Sequence, residues 1–314
     1  MTMATPPPLE TDRIVFDSPL LRIGLFRCHP WQPFFEDTGP IQNHILVFPR
    51  THARITHAGG EPMVTGPNDV MFYNRYQEYR RAKVSDVGDV CEWFAFRPDV
   101  LLETLRAHDP RVEERPDRPF SLARGPSDSR SYLLQRLVVE HVTREAAPDP
   151  LYVEETLVRV LHRVAASAYR PPRGAALRAG TQRSHGELVE ATRALLATRA
   201  EERLSLTEVA RAVYSSPYHL ARIFRARTGF SLHAYLTQAR LRVSLARVTE
   251  PDSDLTSVGL DAGFSSHSHF TQAFRQVFGA TPSEVRVGAT SRRLREMSRN
   301  LTATEAPGLR PSHA

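Results

Sequence analysis

The chain has 314 residues, 41% of them apolar, and carries a formal net charge of +6. That length accommodates two domains with a core each, and that composition excludes a disordered chain. There is no run of eighteen apolar residues to cross a membrane, and two cysteines, Cys28 and Cys91, are too few for a disulfide framework.

The charge is unevenly spread: residues 1–170 sum to −2 and residues 171–314 to +8. A positive carboxy-terminal half suits phosphate binding. The bland alternative is composition drift in a protein with one lysine, Lys83, and otherwise arginine. The opening MTMATPPPLETDR lacks the basic start and apolar stretch of a signal peptide. Together with the cysteine usage, this predicts a cytoplasmic protein.

In chain order, residues 1–12 are Pro-rich and polar and read as disordered. Short strands are predicted at 20–28, 43–48, 53–57, 70–73, 79–84 and 90–96, separated by turn signals such as Gly59-Gly60, Gly66-Pro67-Asn68-Asp69 and Gly88-Asp89. Such spacing predicts a small barrel or sandwich over 13–98. Four histidines, His29, His44, His52 and His57, fall here, but their spacing fits no metal motif and they read as loop or strand-surface residues. Cys28 and Cys91 lie on predicted strands and read as core cysteines, with a redox pair as the rarer alternative.

Residues 99–169 read as helical, with helices at 99–107, 131–144 and 152–169 and a loop at 111–126. Apolar residues at i, i+3/i+4 and i+7 on the last two predict an antiparallel pair. From spacing alone, that pair either makes a dimer or packs on the barrel. The Pro- and Gly-containing stretch 170–181 reads as a linker.

A helix at 186–197 then opens an all-α domain over 182–287. Ser205-Leu206-Thr207-Glu208 is a capping box, and Ser216-Pro217 opens the next helix with Ser216 as cap and Pro217 at its first position. Leu220, Ile223 and Phe224 face inward there; Tyr218, Arg222 and Arg225 face outward. About fifty residues later the arrangement repeats. Ala262-Gly263-Phe264 forms a turn, and Ser265 or Ser266 caps a helix with Phe270, Phe274 and Val277 on one face. His267, Ser268, Thr271, Gln272 and Arg275 lie on the other. Thr281-Pro282-Ser283-Glu284 caps a last helix. A helix at 232–248, about 26 Å long at 1.5 Å per residue, joins the two units. That length can hold two reading helices near the roughly 34 Å spacing of successive major-groove faces. Residues 288–314 show no periodicity and read as a disordered tail, in which Arg292, Arg293 and Arg295 could touch phosphate.

On these residues, notably Gly263-Phe264-Ser265, His269-Phe270, Phe274-Arg275 and Phe278-Gly279-Ala280-Thr281-Pro282, the stretch 182–287 resembles the AraC/XylS family of bacterial transcription regulators. Two departures stand out. Val213 is assigned the place of a turn glycine, and Gly259 stands where alanine is usual. The resemblance implies a sequence-specific DNA-binding regulator, commonly an activator. Double-stranded operator DNA and RNA polymerase would be its partners. It would use no cofactor, metal or membrane, and would be no enzyme. Implied DNA contacts are Tyr218, Arg222, Arg225, His267, Ser268, Thr271, Gln272 and Arg275.

The amino-terminal half looks like the cupin-type barrel that often precedes such a domain. His44 lacks a histidine two residues away and Phe72 stands at the place of the later metal histidine, so no metal is expected. A small-molecule effector or a dimerising role for 99–169 is. The expected fold is therefore multidomain α+β: a cupin-like β-barrel with a helical pair, then two helix-turn-helix units. The rivals are a cupin enzyme fused to a DNA anchor, a methyl-accepting repair protein suggested by Cys28-His29, and a non-specific architectural DNA binder. The varied outer faces of the two units argue against the last.

Overall fold

The computed structural model describes residues 11–38, 40–170, 179–200, 202 and 204–288. Most of the expected amino-terminal disorder, most of the expected linker and the tail with Arg292, Arg293 and Arg295 lie outside those residues.

Two antiparallel sheets form the amino-terminal half. The larger runs β1 (Asp12–Asp17), β2 (Leu21–Cys28), β9 (Asp89–Phe96), β4 (Ile45–Pro49), β7 (Asp69–Tyr73), β10 (Arg124–Pro126); the smaller runs β3 (Asp37–Thr38), β8 (Tyr79–Lys83), β5 (Ala53–His57), β6 (Met63–Thr65). β2 and β9 pair in unbroken register from Leu21 opposite Phe96 to Cys28 opposite Asp89. β4 and β7 are buried at all five positions, as strands covered on both faces must be. Their alternation feeds two cores. Leu46, Phe48, Val70, Phe72 and Phe94 point to the helices. Ile45, Val47, Met71, Tyr73 and Cys91 meet Ile55 and Tyr79 of the small sheet.

The expected cupin-like barrel is not closed. Closure needs one continuous ladder, and the two sheets end in four edge strands, β1, β10, β3 and β6, each paired on one side. The expected loop at 111–126 also carries structure, a 3-10 helix at Pro110–Glu114 and strand β10.

Three helices cover the large sheet: α1 (Pro98–Arg106), α2 (Ser129–Arg144) and α3 (Pro150–Ala168). Asp128 caps α2, accepting from the backbone N–H of Arg130 and Ser131 at 3.1 Å each. Every residue of α2 from Ser131 to Val139 is buried. The α2–α3 pair thus packs on the sheet within this chain. The outer side of α3 presents Glu155, Arg159 and His162, and the end of α2 presents Thr143 and Arg144.

The rest is helical: α4 (Ala179–Thr198), α5 (Leu206–Ala212), α6 (Pro217–Thr228), α7 (Leu232–Val248), α8 (Leu255–Asp261), α9 (His267–Phe278) and α10 (Pro282–Gly288). α4 begins inside the stretch read as linker, because its polar first turns carry no apolar period to reveal them. Val189, Leu196, Val209, Leu220, Ile223 and Phe224 form a core around the first unit. The core of the second, with Val258, Phe270, Phe274 and Phe278, is continuous with the core under the large sheet. The two units therefore sit differently on the amino-terminal half.

Candidate nucleic-acid interface

Each unit is a short helix, a turn and a twelve-residue helix. The caps stand where the residue pattern puts them. The Ser205 side chain accepts from Glu208 N–H while the Glu208 carboxylate accepts from Ser205 N–H. Ser216 caps α6 and Ser266, rather than Ser265, caps α9, each accepting at 3.2 Å from the N–H three residues on. Thr281 and Glu284 close α10 in the same reciprocal way. Each bond satisfies a helix-end donor that would otherwise lack a partner.

The turns are two copies of one motif. In the first, Tyr214 N–H donates to Arg211 O and Ser215 N–H to Ala210 O; in the second, Gly263 N–H donates to Leu260 O and Phe264 N–H to Gly259 O. These paired 5→2 and 6→1 bonds require left-handed backbone at the residue after the cap. Gly263 supplies it at φ 82 and Tyr214 at φ 54. Val213, assigned the glycine's place from the sequence, is instead the cap residue at φ −103. The left-handed position falls one residue later, on a tyrosine. Gly259 has a packing reason: a Cβ there would lie 2.8 Å from the Phe270 Cβ. The close approach of α8 to α9 needs its missing side chain.

Of the eight residues expected to touch DNA, seven are exposed and Thr271 is half-buried. Tyr218 is 79% exposed at the start of α6. Arg222 and Arg225 follow on the same helix. On α9, His267 and Thr271 hold each other at 3.4 Å, and Ser268, Gln272 and Arg275 stand beside them. Arg222, Arg225 and Arg275 make no salt bridge among the described residues, so their guanidinium donors remain available to an anion. His269 packs edge-on against Phe264 at 5.4 Å and His219 lies against His185 at 5.7 Å. Both fit a packing role. Chemically, α9 offers short hydrogen-bonding side chains with one arginine fork and α6 offers a phenol with two arginine forks, the equipment that reads base edges and holds phosphates.

A polar seam joins this interface to the amino-terminal half, and local sequence reading missed it. Arg242 of α7 is 2% exposed. It donates to Pro67 O at 2.8 Å, Asn68 Oδ1 at 2.9 Å, Ser127 O at 2.8 Å and Ser129 Oγ at 3.1 Å, with no carboxylate partner among the described residues. Burial lowers its pKa to about 10. Asn68 in turn donates to Tyr235 O at 2.8 Å, and Asp69 accepts from Arg193 of α4 at 2.8 Å. Glu190 of α4 takes Arg124 at 2.6 Å and the Val64 N–H at 2.9 Å. The Gly66-Pro67-Asn68-Asp69 turn, noted in the sequence only as a barrel feature, is the centre of this seam. One signal was available: position 242 lies three residues from both Ala239 and Leu245, on the buried face of α7.

At the other end of β7, a cavity of about 200 Å³ opens between the sheets. Phe26, Tyr73, Tyr79 and Trp93 wall it around a buried pair, Arg81 and Asp89, 2.7 Å apart. Trp93 Nε1 donates to Asp12 at 2.7 Å. His57 is buried against Tyr73 at 4.7 Å, which corrects its reading as a surface residue, and burial lowers its pKa to about 4. His29 stacks on Trp31, and His44 accepts from Arg75 N–H at 3.1 Å. Among the described residues no three His, Cys, Asp or Glu side chains gather as a metal site. Cys28 and Cys91 are buried and free, and burial raises both thiols. Among the described residues no helix is long and apolar enough to cross a membrane.

Residues 209–288 match the family described as a helix-turn-helix domain. The chain is 34% identical over 103 residues to the HTH-type transcriptional regulator ArgR of Pseudomonas aeruginosa, covering 33% of this chain and 31% of that one. It is 27% identical over 103 residues to the regulatory protein SoxS of Escherichia coli strain K12, covering 33% of this chain and 96% of SoxS. A crystal structure of a transcriptional regulator from Chromobacterium violaceum, described among AraC-type DNA-binding domain-containing proteins, is 30% identical with a TM-score of 0.31, covering 36% of this chain and 98% of that one. The chain spans about a third of the length of the curated regulators it first matches.

Proposed function

Since the chain belongs, through residues 209–288, to the AraC/XylS family of helix-turn-helix regulators, we propose that it is a sequence-specific DNA-binding transcription regulator acting in the cytoplasm. The observation that carries this reading is the pair of serine-capped helices, α6 and α9, with exposed polar outer faces whose arginines make no salt bridge among the described residues. Phosphates supply affinity and base edges supply choice of site. Arg222 is the strongest candidate for base reading, because its fork can bond guanine O6 and N7 together, and Gln272 can pair with adenine likewise. Tyr218, Arg225, His267, Ser268, Thr271 and Arg275 complete the two faces.

In the same reading the domain order is a regulatory sheet pair over 13–98, a helical segment over 99–169, a linker and a DNA-binding domain over 182–287. The inter-sheet cavity is the effector site, suited to a small molecule with an apolar ring and one polar end. Strand β7 runs from that cavity, at Tyr73, to the seam, at Asp69, so it is the shortest route from effector to α7. The regulator activates through RNA polymerase. Any homodimer uses the outer side of α3, and sedimentation measures it.

The test is Arg222→Ala in full-length protein. Specific binding weakens by about 1–3 kcal/mol and the preference at one base position relaxes. An unchanged preference removes Arg222 from the readers.

A further inference from the structure

Both turns are built the same way, yet one uses glycine and the other tyrosine. A bulky residue in left-handed backbone is disfavoured by its own Cβ. Such strain persists only where something compensates for it. Inside the chain the two turn hydrogen bonds, to Arg211 O and Ala210 O, hold the backbone as they do at Gly263, but among the described residues no packing of the side chain adds to them. The Tyr214 side chain is 98% exposed, so it gains no burial. The following residue, which in such motifs often packs back on the helix, is Ser215, whereas its counterpart Phe264 is buried against Phe270 at 5.4 Å between ring centroids. Glycine would make the same bonds without the Cβ cost, so the exposed phenol is the feature that sets this turn apart.

Tyr214 sits two residues before the Ser216 cap of α6, between the helix that crosses the DNA backbone and the helix that enters the groove. The turn at that point rides over the groove's lip. Tyr218, 79% exposed, marks the same end of α6.

We propose that Tyr214 is a DNA-backbone contact of the first unit, its phenol hydroxyl donating to a phosphate oxygen beside the groove that α6 reads. This rests on the DNA-reading function of the two units. Phosphate contacts set register without reading sequence, so Tyr214 contributes to affinity on every operator alike. The second unit has Gly263 in its place and lacks the contact.

The experiment compares full-length wild type, Tyr214→Gly and Tyr214→Phe on an operator selected from random DNA, with thermal midpoints measured in parallel. Tyr214→Gly raises the midpoint, because the left-handed turn is relieved, and weakens binding about tenfold, the loss expected for about 1.4 kcal/mol. Tyr214→Phe keeps the midpoint and weakens binding equally. Neither alters the preferred sequence, and neither alters the salt slope, because the lost group is uncharged; loss of an arginine–phosphate contact lowers that slope by about one. A midpoint that does not rise in Tyr214→Gly, or unchanged binding in either variant, overturns the proposal. Failure of wild type itself to select DNA overturns the reading beneath it and is seen before any variant is made.

Discussion

The two reading units share a design and differ in what they rest on. The second shares its core with the large sheet and its helices: Phe270, Phe274 and Phe278 belong to one apolar body with Phe94, Leu134 and Leu157. The first has a core of its own around Phe224 and meets the amino-terminal half through charged and amide groups: Arg193 on Asp69, Arg124 on Glu190, and Asn68 on the Tyr235 carbonyl. Apolar burial is non-directional and roughly additive in area, whereas a hydrogen-bonded seam holds one geometry and loses it when a partner shifts. The second unit is thus part of one body with the amino-terminal half. The first is a separate body held at a set angle. An effector that moves the Gly66–Asp69 turn would reposition the first unit and leave the second where it is.

The sharpest way to break that contrast is a pair of core truncations. Phe274→Ala and Phe224→Ala each cost about 3–5 kcal/mol. Hydrogen exchange of Phe274→Ala shows loosening in α2 and α9 together; Phe224→Ala loosens α4, α5 and α6 and spares the sheets. Equal spreading in both variants would show that the units do not differ. Arg242→Met comes next. It leaves Pro67 O, Ser127 O and Asn68 Oδ1 without their donor and costs at least about 3 kcal/mol at roughly 1–3 kcal/mol for each buried orphan, read from the urea midpoint. The smallest effect is Gly259→Ala. Helix propensity alone favours alanine by about 1 kcal/mol, but the Cβ meets Phe270 at 2.8 Å, and overpacking costs about 1–3 kcal/mol. A net loss, measured by thermal melting, supports the close α8–α9 packing; a gain would contradict it.

What could be read in advance followed the range of the signal. Capping serines, the Phe270–Phe274 stripe and the turn before β7 are local, and each stands at or within a residue of its expected place. The glycine place assigned to Val213 falls one residue before the left-handed position at Tyr214, because turn glycines are found by their identity and the first turn has none. Sheet closure and the seam depend on partners far apart in the chain: Asn68 on Tyr235, Arg242 on Ser127. No periodicity in either segment encodes those pairings. The helical pair shows the same limit, since spacing predicted α2 and α3 and could not say that Ser131 to Val139 of α2 would be buried on the sheet.

The most direct test of the central claim is selection of DNA from a random pool by the full-length protein at two salt concentrations. The account predicts enrichment of two short blocks about one helical turn, roughly 34 Å, apart, one assignable to α6 and one to α9 by the Arg222→Ala and Gln272→Ala variants. Salt-sensitive binding with no enriched block would contradict it.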